Sequence, residues 1–60
     1  MTELTGMTPQ ELSDWCKAQG MPAFRGKQIF RWIHQGADFD AMTNLPAAMR
    51  AQLKEIAVAQ

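Results

Sequence analysis

Residues Thr8 to His34 read TPQELSDWCKAQGMPAFRGKQIFRWIH, and this stretch decides the fold. It opens with a helix start: Thr8, Pro9 and Glu11 fit the N-cap, N1 and N3 positions of a capping box. Met7 before the cap and Leu12 at N4 suit a hydrophobic staple. Leu12, Trp15, Cys16 and Gln19 then recur on one face at helical spacing. Gly20 offers a left-handed stop, and Pro22 follows two residues later. A second helix runs from about Ala23 to Gln35, with Gly36 ending it. At about 100° per residue, Gly26, Ile29, Phe30 and Ile33 share one arc, and Lys27, Arg31 and His34 the opposite one. Arg25 and Trp32 lie at the borders. Gly26 either lets another helix approach closely or is merely a weak helix former near the first turn.

Outward from this pair the pattern stays helical. Phe39, Met42 and Leu45, spaced by three in a polar segment, predict a short helical or 3₁₀ turn near 39–43 that pins the connection to the core. Pro46 opens a third helix, whose stripe is Met49, Leu53, Ile56 and Ala57. There is no strand alternation, internal repeat or low-complexity tract. The expectation is an all-α, compact three-helix domain with helices at about 9–19, 23–35 and 46–58. The alanine-rich end, IAVAQ, has no stop signal after it and reads as a cut in a longer chain.

Size and charge narrow the function. Sixty residues make one domain at most. A chain this short buries only about 60% of its unfolded surface and is marginal alone. An apolar fraction of 47% suits a globular unit rather than a disordered tail. The formal net charge is zero, so any attraction for a polyanion must be local. It is local in Phe24–His34, which holds three of the six cations, Arg25, Lys27 and Arg31, and no acid. Such a block is either a solvated helix face or a surface for an anion such as a nucleic-acid backbone.

Few chemical groups accompany it. Cys16 is the only cysteine and His34 the only histidine, so neither a disulfide nor an unaided metal site is available. Cys16 lies on the apolar stripe and reads as a core residue. His34 near a helix C-terminus reads as solvated. Glu11 and Asp14 complement the first helix dipole and have no base or nucleophile beside them. Trp15 reads as core. Trp32 either seals the core edge or offers a surface for a base or sugar. Arg25 is placed to brace the adjacent loop through Asp38 or Asp40. No apolar run approaches the ~20 residues of a membrane span, and the N-terminus has no signal-peptide character. A cytoplasmic setting and a monomer are expected.

Two segments carry a family resemblance. Phe24–Ile33, FRGKQIFRWI, resembles an F-R-x-x-Q-I-F-x-W-I pattern, and Asp38–Leu45, DFDAMTNL, a D-F-x-x-M-T-N-L pattern. With the upstream GMTPQEL start, their order and gap resemble the N-terminal accessory domain of RlmN/Cfr-type radical-SAM RNA methyltransferases, over about residues 4–57. The resemblance implies a parent enzyme that methylates adenine carbon 2 in large-subunit rRNA, and in some members in a tRNA as well; Cfr-type members methylate carbon 8. It implies a [4Fe–4S] cluster, S-adenosylmethionine and a methyl-carrying cysteine in a later barrel domain. The C-x-x-x-C-x-x-C cluster motif is absent from this chain, and Cys16 matches no catalytic position. The chain itself is expected to be non-catalytic.

What the resemblance carries over is modest. Arg25 and Gln28 match the pattern and are the first candidates for an RNA-facing or bracing role. Lys27 and Arg31 occupy its variable positions and rest on charge alone; Trp32 completes the candidate RNA-binding set. Phe24, Ile29, Phe30 and Ile33 need only a packing role. Three readings follow. The first is an RNA-engaging accessory domain acting by phosphate positioning. The second is an intramolecular module that braces the catalytic domain through helix 2 and Trp32. The third is a self-standing helical DNA-binding module, which lacks the expected Gly-rich hairpin or reading helix.

Overall fold

The capping signals at Thr8 are realised in the computed structural model, which describes residues 1–59. The Glu11 backbone N–H donates to Thr8 Oγ1 at 3.1 Å, and the Thr8 N–H donates to Glu11 Oε1 at 2.9 Å. This box starts α1, Pro9–Ala18. Gly20 then takes φ +82°. The Met21 N–H donates to the Cys16 carbonyl at 2.8 Å and the Gly20 N–H to that of Lys17 at 3.1 Å, which is a Schellman stop. The second helix, α2, spans Phe24–His34 and ends the same way at Gly36, with Ala37 bonded back to Trp32 and Gly36 to Ile33.

A 3₁₀ turn at Phe39–Ala41 and α3 at Ala47–Ile56 complete the helical set. The three-helix, all-α reading with a turn near 39–43 therefore holds, with each helix start within a residue of its expected place. The exception is the end of α3. Helix was expected to residue 58, but Ala57 turns extended at φ −146° and ψ 165°. Ala57–Val58 forms β2 and pairs in parallel with β1, Thr2–Glu3. Leu4 N–H adds a bond to the Val58 carbonyl at 3.1 Å. A parallel pair needs a long crossover, and here the whole helical body supplies it. Neither strand is long enough to show an alternating pattern. Leu4 beside the ladder and Ala57 within it are 1% and 2% exposed, so core burial holds the ladder in place. The abrupt end read at Gln60 lies outside the described residues.

Leu4, Leu12, Cys16, Met21, Ile29, Phe39, Met42, Leu45, Leu53 and Ala57 form one core. Trp15, read as core, is half-buried and seals its edge. The closest approach is α1 against α2. A Cβ built on Gly26 would stand 2.6 Å from Ser13 Cα and 2.7 Å from the Leu12 carbonyl carbon, and nearer still to Ser13 N. Those are backbone atoms of α1, so the helices meet with nothing between them. Ser13, 8% exposed, is the small partner on the other side. Gln52 Nε2 ties α3 to the end of α1 by donating to the Gln19 carbonyl at 3.3 Å.

Two outcomes test this packing. Gly26→Ala should lower stability by about 2–3 kcal/mol, because overpacking against rigid backbone outweighs the ~1 kcal/mol gain in helix propensity. Gly6→Ala, with nothing near its added Cβ, should be far milder. Urea titrations followed by circular dichroism would read both, and equal midpoints would refute the close contact. Cys16 is fully buried, and burial pushes its thiol pKa up. It should react with disulfide reagents only as fast as the domain opens. Prompt labelling of the folded chain would contradict that placement.

Candidate nucleic-acid interface

Helix α2 turns three different faces to its surroundings. Gly26 and Ile29 are buried, with Phe30 and Ile33 packed against the core beside them. Arg25, Gln28 and Trp32, spaced three and four apart, lie along a second face and meet the 42–45 loop. Arg25 Nη1 donates to Gln28 Oε1 at 3.0 Å and to the Asn44 carbonyl at 3.2 Å. Trp32 Nε1 donates to Asn44 Oδ1 at 2.7 Å. Asn44 is thus held from both its backbone and its side chain, between the buried anchors Met42 and Leu45.

This brace corrects one expectation. Arg25 does secure the loop, but through Asn44 rather than Asp38 or Asp40. Asp38 is engaged in capping the 3₁₀ turn, accepting from the Ala41 N–H at 3.0 Å. Asp40 instead takes Lys54 Nζ at 3.0 Å, while its carbonyl accepts from Arg50. Both acids lie nearer in sequence to Arg25 than Asn44 does, so spacing alone favoured them. The sequence marks Asn44 only by its place in the M-T-N-L segment.

Phe24, Lys27 and Arg31 fall at i, i+3 and i+7, a third face directed to solvent. Lys27 and Arg31 are exposed. Neither forms a salt bridge among the described residues, where the single ion pair is Lys54–Asp40. They line a shallow depression with Pro9 and Phe30. His34, also exposed, packs its ring on Phe30 with centroids 4.1 Å apart. Phe24 is the second correction. It was expected in the core but is 57% exposed, with the Arg25 guanidinium carbon 4.7 Å from its ring centroid. As the first residue of α2 it precedes Arg25 by one position, which rotates it off the apolar arc.

The five sequence-derived candidates therefore separate. Arg25, Gln28 and Trp32 are joined in the brace. Lys27 and Arg31 stand free on the outer face. No group of three His, Cys, Asp or Glu residues is close enough to hold a metal among the described residues. One buried thiol with a raised pKa does not fit an iron–sulfur cluster, which takes several thiolates. No helix here is long and apolar enough to cross a membrane.

Comparison with known proteins gives a consistent result. Residues 2–59 match the model of the ribosomal RNA large subunit methyltransferase N-terminal domain. A protein of Symbiobacterium thermophilum described as a probable dual-specificity RNA methyltransferase RlmN is 50% identical over 52 residues, covering 83% of this chain and 14% of the relative. Proteins of the same description from Rhodopirellula baltica and Clostridium beijerinckii are 51% and 45% identical over 47 and 56 residues. They cover 75% and 92% of this chain, and 13% and 16% of their own length. The chain thus spans about one seventh of these relatives. No solved structure matches it.

The brace has its own test. Asn44→Ala should remove the Trp32 bond at a cost of about 1 kcal/mol. It should also speed hydrogen exchange in the 42–45 loop while leaving α1 protected. Unchanged loop protection would show that Asn44 does not hold it.

Proposed function

The chain belongs to the family of ribosomal RNA large subunit methyltransferase N-terminal domains, and from that premise we propose that it is the RNA-engaging, non-catalytic module of a radical-SAM RNA adenine methyltransferase. In this reading the catalytic barrel lies in cis in a longer, cytoplasmic, monomeric enzyme. The [4Fe–4S] cluster and S-adenosylmethionine belong to that barrel. The family description supports large-subunit rRNA as a substrate; the relatives, described as dual-specificity RNA methyltransferases, fit a second RNA, which the family resemblance gives as a tRNA. The observation that carries the RNA role is the outer face of α2, where Lys27 and Arg31 stand exposed, four residues apart, outside any ion pair among the described residues.

The chemistry of such a face is phosphate positioning. Lys27 and Arg31 each offer a charge-assisted donor to a backbone oxygen without reading sequence. Arg25 contributes differently from the other two. Its donors hold the 42–45 loop, so it fixes the shape of the surface rather than contacting the phosphate through the same nitrogen. Docking on the barrel through Trp32 is the weaker reading, because the Trp32 N–H is already satisfied within the domain.

Charge reversal provides the test. In the complete enzyme, Lys27→Glu with Arg31→Glu should weaken substrate RNA binding about tenfold or more at low salt. The log–log salt slope should fall by roughly 1.4, about 0.7 for each lost contact to single-stranded RNA. Arg25 should be left intact, since its loss would disturb the loop. Unaltered affinity and slope in the double variant would sink the RNA role.

A further inference from the structure

Among the described residues the exposed large apolar side chains are Phe24 and Met1, and Phe24 alone belongs to a helix. A marginal sixty-residue domain forgoes burial energy by leaving more than half of a phenylalanine in water. A single exposed apolar residue is ordinary by itself. Three further observations distinguish this one. It lies at i, i+3 and i+7 with Lys27 and Arg31, at one end of the cationic face. The Arg25 guanidinium lies 4.7 Å from its ring centroid, and Arg25 is itself fixed by bonds to Gln28 and Asn44. The first turn of α2 carries no acid.

From this arrangement we propose that Phe24 is a stacking platform for an unpaired RNA base, with Lys27 and Arg31 holding the adjoining backbone. Arg25 backs the ring on one side while more than half of the side chain stays open to solvent. Aromatic faces accept any base, so the site favours unpaired over paired nucleotides without reading sequence. From Phe24 to Arg31 the helix rises about 10 Å, so stacking and phosphate contacts would engage neighbouring nucleotides of one strand. The proposal rests on the RNA-engaging reading above and adds to it the kind of RNA recognised.

The experiment is a titration of the complete enzyme with two labelled RNAs, a hairpin with an unpaired loop and a fully paired duplex of matched length. Phe24→Leu keeps an apolar side chain at an exposed position and removes the ring. It should weaken hairpin binding roughly five- to a hundredfold, the range of base stacking on aromatics, and leave duplex binding within about twofold. Phe24→Trp should restore hairpin binding. Undiminished hairpin affinity in Phe24→Leu overturns the proposal, as does an equal loss for both RNAs. If Lys27→Glu with Arg31→Glu still weakens binding in that case, only the stacking site fails. If those reversals also change nothing, the RNA role fails with it. Impaired enzyme stability with intact RNA binding would instead assign Phe24 to a protein contact, and would equally overturn the proposal.

Discussion

The contact between Gly26 and the α1 backbone at Leu12 and Ser13 is the constraint on which the rest of this domain depends. It sets the distance and rotation between α1 and α2 together. With Gly26 pressed inward, Ile29 must enter the core and Phe30 and Ile33 must line its rim. Lys27 and Arg31 are then turned outward with no freedom to choose another side. A larger residue at 26 would push the helices apart and expose the edge of a core with few side chains to spare.

Helix α2 therefore does three jobs on three faces. One packs, one braces the 42–45 loop through Asn44, and one is left to solvent. The brace matters because the loop it holds also delivers Met42 and Leu45 to the core and Pro46 to the start of α3. Rigid support beneath an exposed cationic and aromatic surface lowers the ordering cost of any ligand that binds there. The short β1–β2 ladder plays the corresponding part at the other end. By tying residues 2–4 to 57–58 it brings both ends of the described chain together and stops α3 after Ile56.

Several features were legible from local chemistry. The capping box at Thr8 and the glycine stops at 20 and 36 need only nearby groups, so their signals lie within a few residues. The three-residue spacing of Phe39, Met42 and Leu45 likewise marked the pinned turn. Phe24 misled because its apolar character and its place in the F-R-x-x-Q pattern suggest packing, whereas at about 100° per residue it lies about 200° from Gly26, on the outer arc. Asn44 misled because it is polar, distant in sequence from Trp32 and Arg25, and closer acids seemed better partners. Those acids were already engaged, Asp38 by the turn it caps and Asp40 by Lys54.

By itself the sequence determined the helical class, the order and stops of the helices, the principal core positions and the family, since each depends on periodicity, capping or motif order along the chain. Only the tertiary structure decided where α3 ends and how Arg25 and Trp32 are tied to Asn44 while Lys27 and Arg31 stay free. Those outcomes depend on contacts between residues twelve to more than fifty positions apart. Such contacts compete with local preference and override it when burial or a hydrogen bond gains more than the local conformation loses.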